Sequence, residues 1–220
     1  MNQLFLWWAV LWTLAGAITP VPFTVQAPFG DWSDPRQEDG CEEAAMIMAI
    51  HWARNETLTP EKALKEILAI SEYEERNYGT SQDSSADDTA ERIAKGYFHF
   101  TDVAVIQDVR LSDIHAALRS GALVIVPVNG QKLKNPFYKA PGPERHMLLI
   151  FGYDSKTHEF IANDAGTKHG KGYRYPGDRV MDALRDYPTG NRKPIPEGKT
   201  AMIVIRHKNL AQLGQNGTIY

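Results

Sequence analysis

A helical run that is apolar on every side constrains the fold of this chain most. It follows residues 39–43 (DGCEE) and consists mainly of Ala, Met and Ile as far as Ile50. A helix without a polar face cannot lie against water, so we expect it to be buried at the centre of a domain. Turn-forming residues are frequent between positions 30 and 40, which indicates that a loop leads into this helix.

Cys41 is the only cysteine of the chain and lies where the loop becomes the helix. At a helix N-terminus the dipole and the free amide groups favour a thiolate, which is the nucleophilic form of cysteine. Glu42 and Glu43 oppose thiolate formation, so a protonated histidine and the helix N-terminus have to outweigh them. A buried and inert cysteine, the common fate of a free thiol, is the alternative.

The composition fits one globular domain and argues against several classes of function. The chain has 220 residues, of which 43% are hydrophobic and 23% charged, which is enough for a single core. A formal net charge of -3 without a run of Lys and Arg argues against a nucleic-acid partner. One cysteine and seven scattered histidines form neither a CxxC nor an HExxH motif, so we expect no metal site and no cofactor.

The first 18 residues form a segment of their own. Residues 4–18 (LFLWWAVLWTLAGAI) are almost wholly apolar, and residues 15–17 fit the small-x-small cleavage pattern of a secretory signal. The run is shorter than the ~20 residues that span a membrane. We expect an export signal, with an uncleaved membrane anchor as the minor alternative, and hence a secreted, periplasmic or cell-surface protein. The folded domain then covers residues 19–209, and residues 210–220 form a polar tail.

Helices precede strands along the rest of the chain. Predicted helices begin at positions 41, 60 and 85, with loops at 27–40 and 72–85. Apolar or alternating runs predict strands at residues 101–106, 122–128, 147–153, 159–163, 171–175 and 201–207. Helices first and antiparallel strands later predict an α+β domain.

One predicted hairpin brings together the two side chains that a cysteine nucleophile needs. His146 begins the buried strand MLLIFGY, and Asp164 follows the partner strand across the turn at residues 154–157. Counting back from this turn places both residues at the same open end, where a carboxylate can orient the imidazole as a proton acceptor for Cys41. Alternatively, His146 is a half-buried strand-end histidine and Asp164 only forms a turn.

Four motifs in order resemble one family of enzymes. They are VPFTVQAP at 21–28, GCEEA at 40–44, RHMLLIFGYD at 145–154 and AND at 162–164. This set resembles the bacteriocin-processing-peptidase-like (family thirty-nine-like) cysteine peptidases, a branch of the papain-like superfamily. The resemblance spans residues 21–207. It implies a papain-like fold, in which an N-terminal helical part with the nucleophile helix packs on an antiparallel β-sheet.

The resemblance also implies roles for individual residues. Cys41 is the expected nucleophile, His146 the base and Asp164 the residue that orients it. A glutamine upstream of the cysteine is expected in the oxyanion hole: Gln26 matches the position after the extended segment, and Gln37, nearer to Cys41, is the rival candidate. For both glutamines a solvated loop position is the alternative.

The implied activity is that of a thiol protease, which hydrolyses peptide bonds in a peptide or protein substrate. We expect the protein to be a monomer. Transporter-linked members have Cys-Gly-Pro where this chain has Cys41-Glu42-Glu43, and no transporter domain follows. Coupled export of a leader peptide is therefore not expected. Two alternatives stay open: a papain-like acyltransferase or amidase that acts on a non-peptide substrate, and an exported binding domain without catalysis.

Aromatic residues on the predicted loops bear on the substrate. Phe29, Trp32, Phe137 and Tyr138 could form the rim of a cleft and recognise apolar side chains. Packing beneath the loops is the equally good alternative for all four.

Overall fold

The computed structural model describes residues 20–207 and contains a helical first half and a sheet in the second half. The helices are α1 (Pro35–Glu38), α2 (Cys41–Ala53), α3 (Pro60–Tyr78), α4 (Ala86–Asp88), α5 (Leu111–Arg119), α6 (Gly130–Leu133) and α7 (Gly177–Ala183), with a π-helix (Thr89–Tyr97) directly after α4. The strands are β1 (Val103–Gln107), β2 (Leu123–Val128), β3 (His146–Asp154), β4 (Glu159–Asn163), β5 (Tyr173–Pro176) and β6 (Ala201–Ile205).

All six strands form one antiparallel sheet in the order β1-β6-β2-β3-β4-β5. The β3–β4 hairpin pairs Leu149 with Asn163 and Asp154 with Glu159. The architecture confirms the α+β prediction, including a helical part that packs on an antiparallel sheet.

Helix α2 is the centre of the fold, as its apolar sequence predicts. All of its residues are buried, and it packs between the sheet on one side and α3 and the π-helix on the other. Alternate residues of the central strands point to its side of the sheet: Leu123, Ile125, Met147, Leu149, Ile203 and Ile205. Each such side chain contributes about 1.5–3 kcal/mol by leaving water.

The opposite face of the sheet is covered as well. The residues between those of the first set point to α5 and α7, and they include Val124, Val126, Leu148, Ile150 and Val204. Because both faces of β2 and β3 are buried, these strands read as continuous apolar runs and lack the alternation of a half-exposed sheet.

Two regions that the sequence predicts to be loops contain helix. Helix α3 continues to Tyr78, although residues 72–78 are polar, and it ends at Gly79, whose φ of 77° closes the helix in the left-handed conformation. Exposed glutamates and an arginine cover the outer side of this extension, but Glu74 is buried. The predicted loop 27–40 contains α1, which Asp34 caps by accepting a hydrogen bond from the Arg36 amide.

Candidate active site

Cys41 is the first residue of α2, and the backbone before it is tightly packed. A Cβ atom on Gly40 would lie 2.7 Å from the backbone oxygen of Arg36 and 3.3 Å from Cγ2 of Ile67. Glycine at position 40 therefore lets the end of α1 approach the start of α2. The Cys41 side chain is 7% exposed and reaches the wall of a cleft of about 1130 Å³.

His146 and Asp164 lie together at the open end of the β3–β4 hairpin. Nε2 of His146 is 2.8 Å from Oδ1 of Asp164, and both side chains are buried. His146 is the first residue of β3, and Asp164 directly follows β4, whose last pair is Leu149 with Asn163. Since Asp164 binds Nε2, Nδ1 is the ring nitrogen left for exchange of a proton in the cleft.

Four further groups donate hydrogen bonds to Asp164. The hydroxyl of Tyr138 donates to Oδ2 at 2.6 Å, the Asn135 amide donates to the same atom at 3.2 Å, and the backbone N–H of Gly166 donates to Oδ1 at 3.0 Å. The Tyr175 hydroxyl also donates to Oδ2. This arrangement fixes the carboxylate in one orientation toward His146.

The same contacts decide the charge of Asp164. Burial raises its pKa, but the charge of His146 and the hydrogen bonds from His146, Tyr138 and Tyr175 lower it more, so the pKa is about 2. The carboxylate is therefore ionised at neutral pH, and it can stabilise a protonated imidazole in the reaction.

Sequence reasoning predicted none of these four groups as donors to Asp164, although it placed Tyr138 at the rim of the cleft. Asn135 lies in the loop after α6, Tyr175 lies on the edge strand β5, and Gly166 lies in the turn after Asp164. Nothing in the spacing of the sequence relates these positions to His146. The only available signal was that predicted strands 159–163 and 171–175 could be neighbours in the sheet.

Trp32, Phe137 and Tyr138 line the same cleft as Cys41 and His146, whereas Phe29 is not among its lining residues. Phe29 is 60% exposed, Trp32 44% and Phe137 49%, so the alternative of packing beneath the loops is wrong for these three. Tyr138 instead packs edge-on against His146, with ring centroids 5.7 Å apart. The cleft that Cys41 lines thus also offers aromatic surface to a ligand.

Gln26 and Gln37 occupy different environments. Gln26 lines the cleft with Cys41 and His146, and its amide donates to the backbone oxygens of Gln37 and Glu38 at the end of α1. Gln37 is 3% exposed and is not among the residues that line the cleft. Of the two predicted oxyanion donors, only Gln26 is placed beside the cleft, where it also holds the turn before Cys41.

The thiol of Cys41 is held in its protonated form. Burial raises its pKa well above the ordinary value, and the charge of Glu42 and the hydrogen bond to Glu42 raise it further. A backbone hydrogen bond from Met147 lowers the pKa but does not compensate. The sulfur lies 3.0 Å from Oε2 of Glu42. The expected preference for a thiolate at the helix N-terminus is therefore outweighed by burial and by the neighbouring carboxylate.

Neither a metal site nor a membrane-spanning helix is present in residues 20–207. In that part of the chain no group of His, Cys, Asp and Glu side chains is arranged to hold a metal ion. No helix within the same residues is long and apolar enough to cross a membrane. The predicted signal or anchor at 1–18 and the polar tail at 210–220 lie outside the described residues.

Comparison with known proteins adds the family. The sequence model of the Peptidase C39 like family matches residues 18–189. A crystal structure from Bacillus anthracis, of a protein described as a C39-like peptidase, superposes with a TM-score of 0.51 at 14% sequence identity. The superposition covers 86% of this chain and 96% of the other chain, and at this identity it shows the shared fold. None of the curated proteins matches the chain.

Proposed function

Because the chain belongs to the Peptidase C39 like family, we propose that it is a cysteine peptidase that hydrolyses peptide bonds through Cys41, His146 and Asp164. One observation carries the proposal. The only thiol of the chain and the imidazole of a 2.8 Å histidine–aspartate pair line the same cleft. Nucleophile, base and orienting carboxylate are the three groups that this chemistry requires.

The proposed reaction begins with proton transfer from the thiol to Nδ1 of His146. The sulfur attacks the carbonyl carbon of the substrate, a C–S bond forms, and the carbonyl oxygen becomes an oxyanion. When this intermediate collapses, the C–N bond breaks and His146 gives its proton to the leaving amine. A water molecule then attacks the thioester, again with His146 as the base, and releases the acid product and the thiol.

Donors for the oxyanion come from the start of α2 and from Gln26. The amide groups of the first helical turn have no acceptor within the helix, so the backbone N–H of Cys41 can point at the developing charge. Gln26 has to release one of its two bonds to the α1 carbonyls to donate as well. Loss of one such donor costs about 100- to 1000-fold in rate. We therefore expect the rate loss of Gln26→Ala to lie in this range and that of Gln37→Ala to lie below it.

The proposal extends to the location and state of the protein. Residues 1–18 act as an export signal or an anchor, and the exported domain of residues 19–209 works as a monomer on peptides or proteins. N-terminal sequencing of the protein recovered outside the cytoplasm distinguishes a cleaved signal from a retained anchor. Light scattering of the purified domain tests whether it is a monomer.

A peptide library with mass-spectrometric detection of cleavage tests the activity. The parent protein should cleave a subset of peptides, and Cys41→Ala and His146→Ala should lose cleavage. His158→Ala is a matched control, because His158 is an exposed histidine in the turn of the same hairpin. A Cys41→Ala variant that cleaves peptides as fast as the parent would refute the proposed peptidase function. Aminolysis products in preference to hydrolysis with added amines would identify an acyltransferase instead.

A further inference from the structure

The side chain next to the sulfur has a role that the triad does not assign. Glu42 follows Cys41 in α2 and is buried, with 3% of its surface exposed. Its Oε2 lies 3.0 Å from the sulfur, which donates the hydrogen bond. A carboxylate in direct contact with the nucleophile is unexpected in an enzyme that needs a thiolate, because a negative charge at this distance opposes ionisation of the thiol.

The Glu42 carboxylate is held by donors on both of its oxygens. Oε1 accepts hydrogen bonds from the Tyr187 hydroxyl at 2.8 Å and from the backbone N–H of Ser84 at 3.2 Å. Burial raises the pKa of Glu42, while the hydrogen bonds from Cys41 and Tyr187 lower it and favour the charged form. Three different parts of the chain, α2, the loop before α4 and the segment after α7, thus converge on one carboxyl group beside the sulfur.

The next residue in α2 provides the contrast. Glu43 is as deeply buried as Glu42, yet its Oε2 has no hydrogen-bond partner among the described residues. Burial, followed by the charges of Glu74 and Glu42, raises the pKa of Glu43 well above its ordinary value. Glu43 is therefore accommodated as a neutral acid, whereas Glu42 is bound as an acceptor.

We infer that Glu42 is a positioning residue that keeps Cys41 as a neutral thiol in the resting protein, with the S–H directed at the Glu42 carboxyl group. This inference rests on the proposed function only for the role of Cys41 as nucleophile. The thiolate forms when the thiol turns from Glu42 and its proton passes to His146, as the substrate carbonyl arrives. A resting thiol is also protected, since oxidants and alkylating agents react with the thiolate.

Several other titratable groups surround Glu42 and bear on a pH profile. They are Cys41 and Glu43 on α2, Glu74 on α3, Asp83 before α4, and Tyr187 after α7, with Arg92 next to Glu74 and His146 across the cleft. Most of these groups are acids. We therefore expect removal of the Glu42 charge to change the pKa of the thiol more than it changes the combined charge of the other groups.

Alkylation of the unmodified full chain by iodoacetamide as a function of pH tests the inference. Because Cys41 is the only cysteine, the label reports a single site. Glu42→Gln keeps the shape of the side chain and an acceptor for Tyr187 and Ser84, but removes the charge. We expect its alkylation profile to move at least one pH unit lower, with about tenfold faster labelling at pH 7.

Glu43→Gln is the matched control, with the same substitution in the same helical turn and no hydrogen bond to the sulfur. Its profile should coincide with that of the parent. A Glu42→Gln profile that overlaps the parent, or that shifts no more than Glu43→Gln, would overturn the inference. Since no peptide is involved, this result is independent of whether the protein cleaves peptides.

A second measurement needs no variant and so does not depend on its folding. Infrared spectroscopy of the parent should show the S–H stretching band of Cys41 at neutral pH, at lower frequency than a free thiol because the S–H donates to a carboxylate. The band should be missing from Cys41→Ala. A parent protein without an S–H band at neutral pH, and hence with a resting thiolate, would overturn the inference as well.

Discussion

His146 and Asp164 are joined by a 2.8 Å contact between Nε2 and Oδ1, and neither side chain is reached by bulk solvent. The register of one hairpin produces this contact, since His146 opens β3 and Asp164 follows β4. The carboxylate therefore favours the tautomer with hydrogen on Nε2, which puts the lone pair of a neutral imidazole on Nδ1.

Replacement of Asp164 by Asn tests the importance of this tautomer. The Asn amide can donate to Nε2, which would place the imidazole hydrogen on Nδ1 and remove the base. We expect kcat to fall by about 10³- to 10⁴-fold with little change in the fold. Peptide cleavage and circular dichroism measure the two effects.

Asp182→Asn is the matched control for this prediction. Asp182 is an exposed aspartate at the end of α7, and its only described ion pair is with Lys132 at the surface. It should retain the activity of the parent. An Asp164→Asn variant with near-parental kcat would show that His146 needs no carboxylate, and the triad would be reduced to a pair.

Tyr138→Phe removes one donor from Asp164 without changing the packing of the ring. The lost hydrogen bond raises the pKa of Asp164 and loosens its hold on His146. A hydrogen bond to a charged group contributes about 1.5–3 kcal/mol, so we expect kcat/KM to fall roughly tenfold or more. Tyr153→Phe removes a hydroxyl whose described hydrogen bond is to the exposed His158, so this variant should show no fall in kcat/KM.

The fold could be predicted where burial is uniform and could not where polar residues are buried. The strands of the sheet are evident as apolar runs, and α2 is evident as a helix without a polar face. The polar composition of residues 72–78 hides the second half of α3, because Glu74 points inward and its neighbours are exposed. A buried glutamate has no signature in a hydrophobic pattern.

Similar limits apply to the site. The hairpin count brings His146 and Asp164 together because the two positions belong to one local unit. Tyr175 and Asn135 reach Asp164 through the sheet and through a loop, so no local rule relates them to it. The protonated state of Cys41 also depends on burial and on three-dimensional contacts, which the helix-dipole argument alone does not include.

Gly40→Ala tests the packing that places the nucleophile. A methyl group would lie 2.7 Å from the Arg36 oxygen, which is backbone and cannot turn aside, so α1 and the start of α2 have to separate. We expect a loss of about 1–3 kcal/mol in the free energy of unfolding and a larger loss of cleavage than stability alone explains. Urea denaturation and peptide cleavage measure the two.

Gly79→Ala separates these two effects. Gly79 has a φ of 77°, so alanine there costs about 1–2 kcal/mol of conformational energy but meets no atom within 4 Å. Gly79 is not among the residues that line the cleft. It should lose stability and keep its activity below the unfolding transition. Equal losses of activity in both variants would mean that Gly40 matters only for stability.

The buried carboxyl of Glu74 should make the protein less stable as pH rises. Burial, followed by the charge of Glu42, raises the pKa of Glu74 from 4.5 to about 8. Between these values the folded protein keeps a proton that the unfolded chain has released, so the unfolded state binds fewer protons and the free energy of unfolding falls with pH. This contribution is fully present below pH 4.5 and is lost as pH rises through about 8.

Glu74→Gln removes this titration while retaining an acceptor for the Ser84 hydroxyl. We expect the free energy of unfolding, measured by urea denaturation between pH 5 and pH 8, to fall less steeply with pH in this variant than in the parent. The difference in slope is at most about 1.4 kcal/mol per pH unit for one proton. The remaining slope includes the contributions of Glu42 and Glu43, whose pKa values are also raised by burial. Glu72→Gln, an exposed position on the same helix, should leave the slope unchanged. Parallel slopes for Glu74→Gln and the parent would mean that Glu74 is ionised in the folded protein. The charge of Arg92, which lowers the pKa of Glu74, would then stabilise the carboxylate more than burial destabilises it.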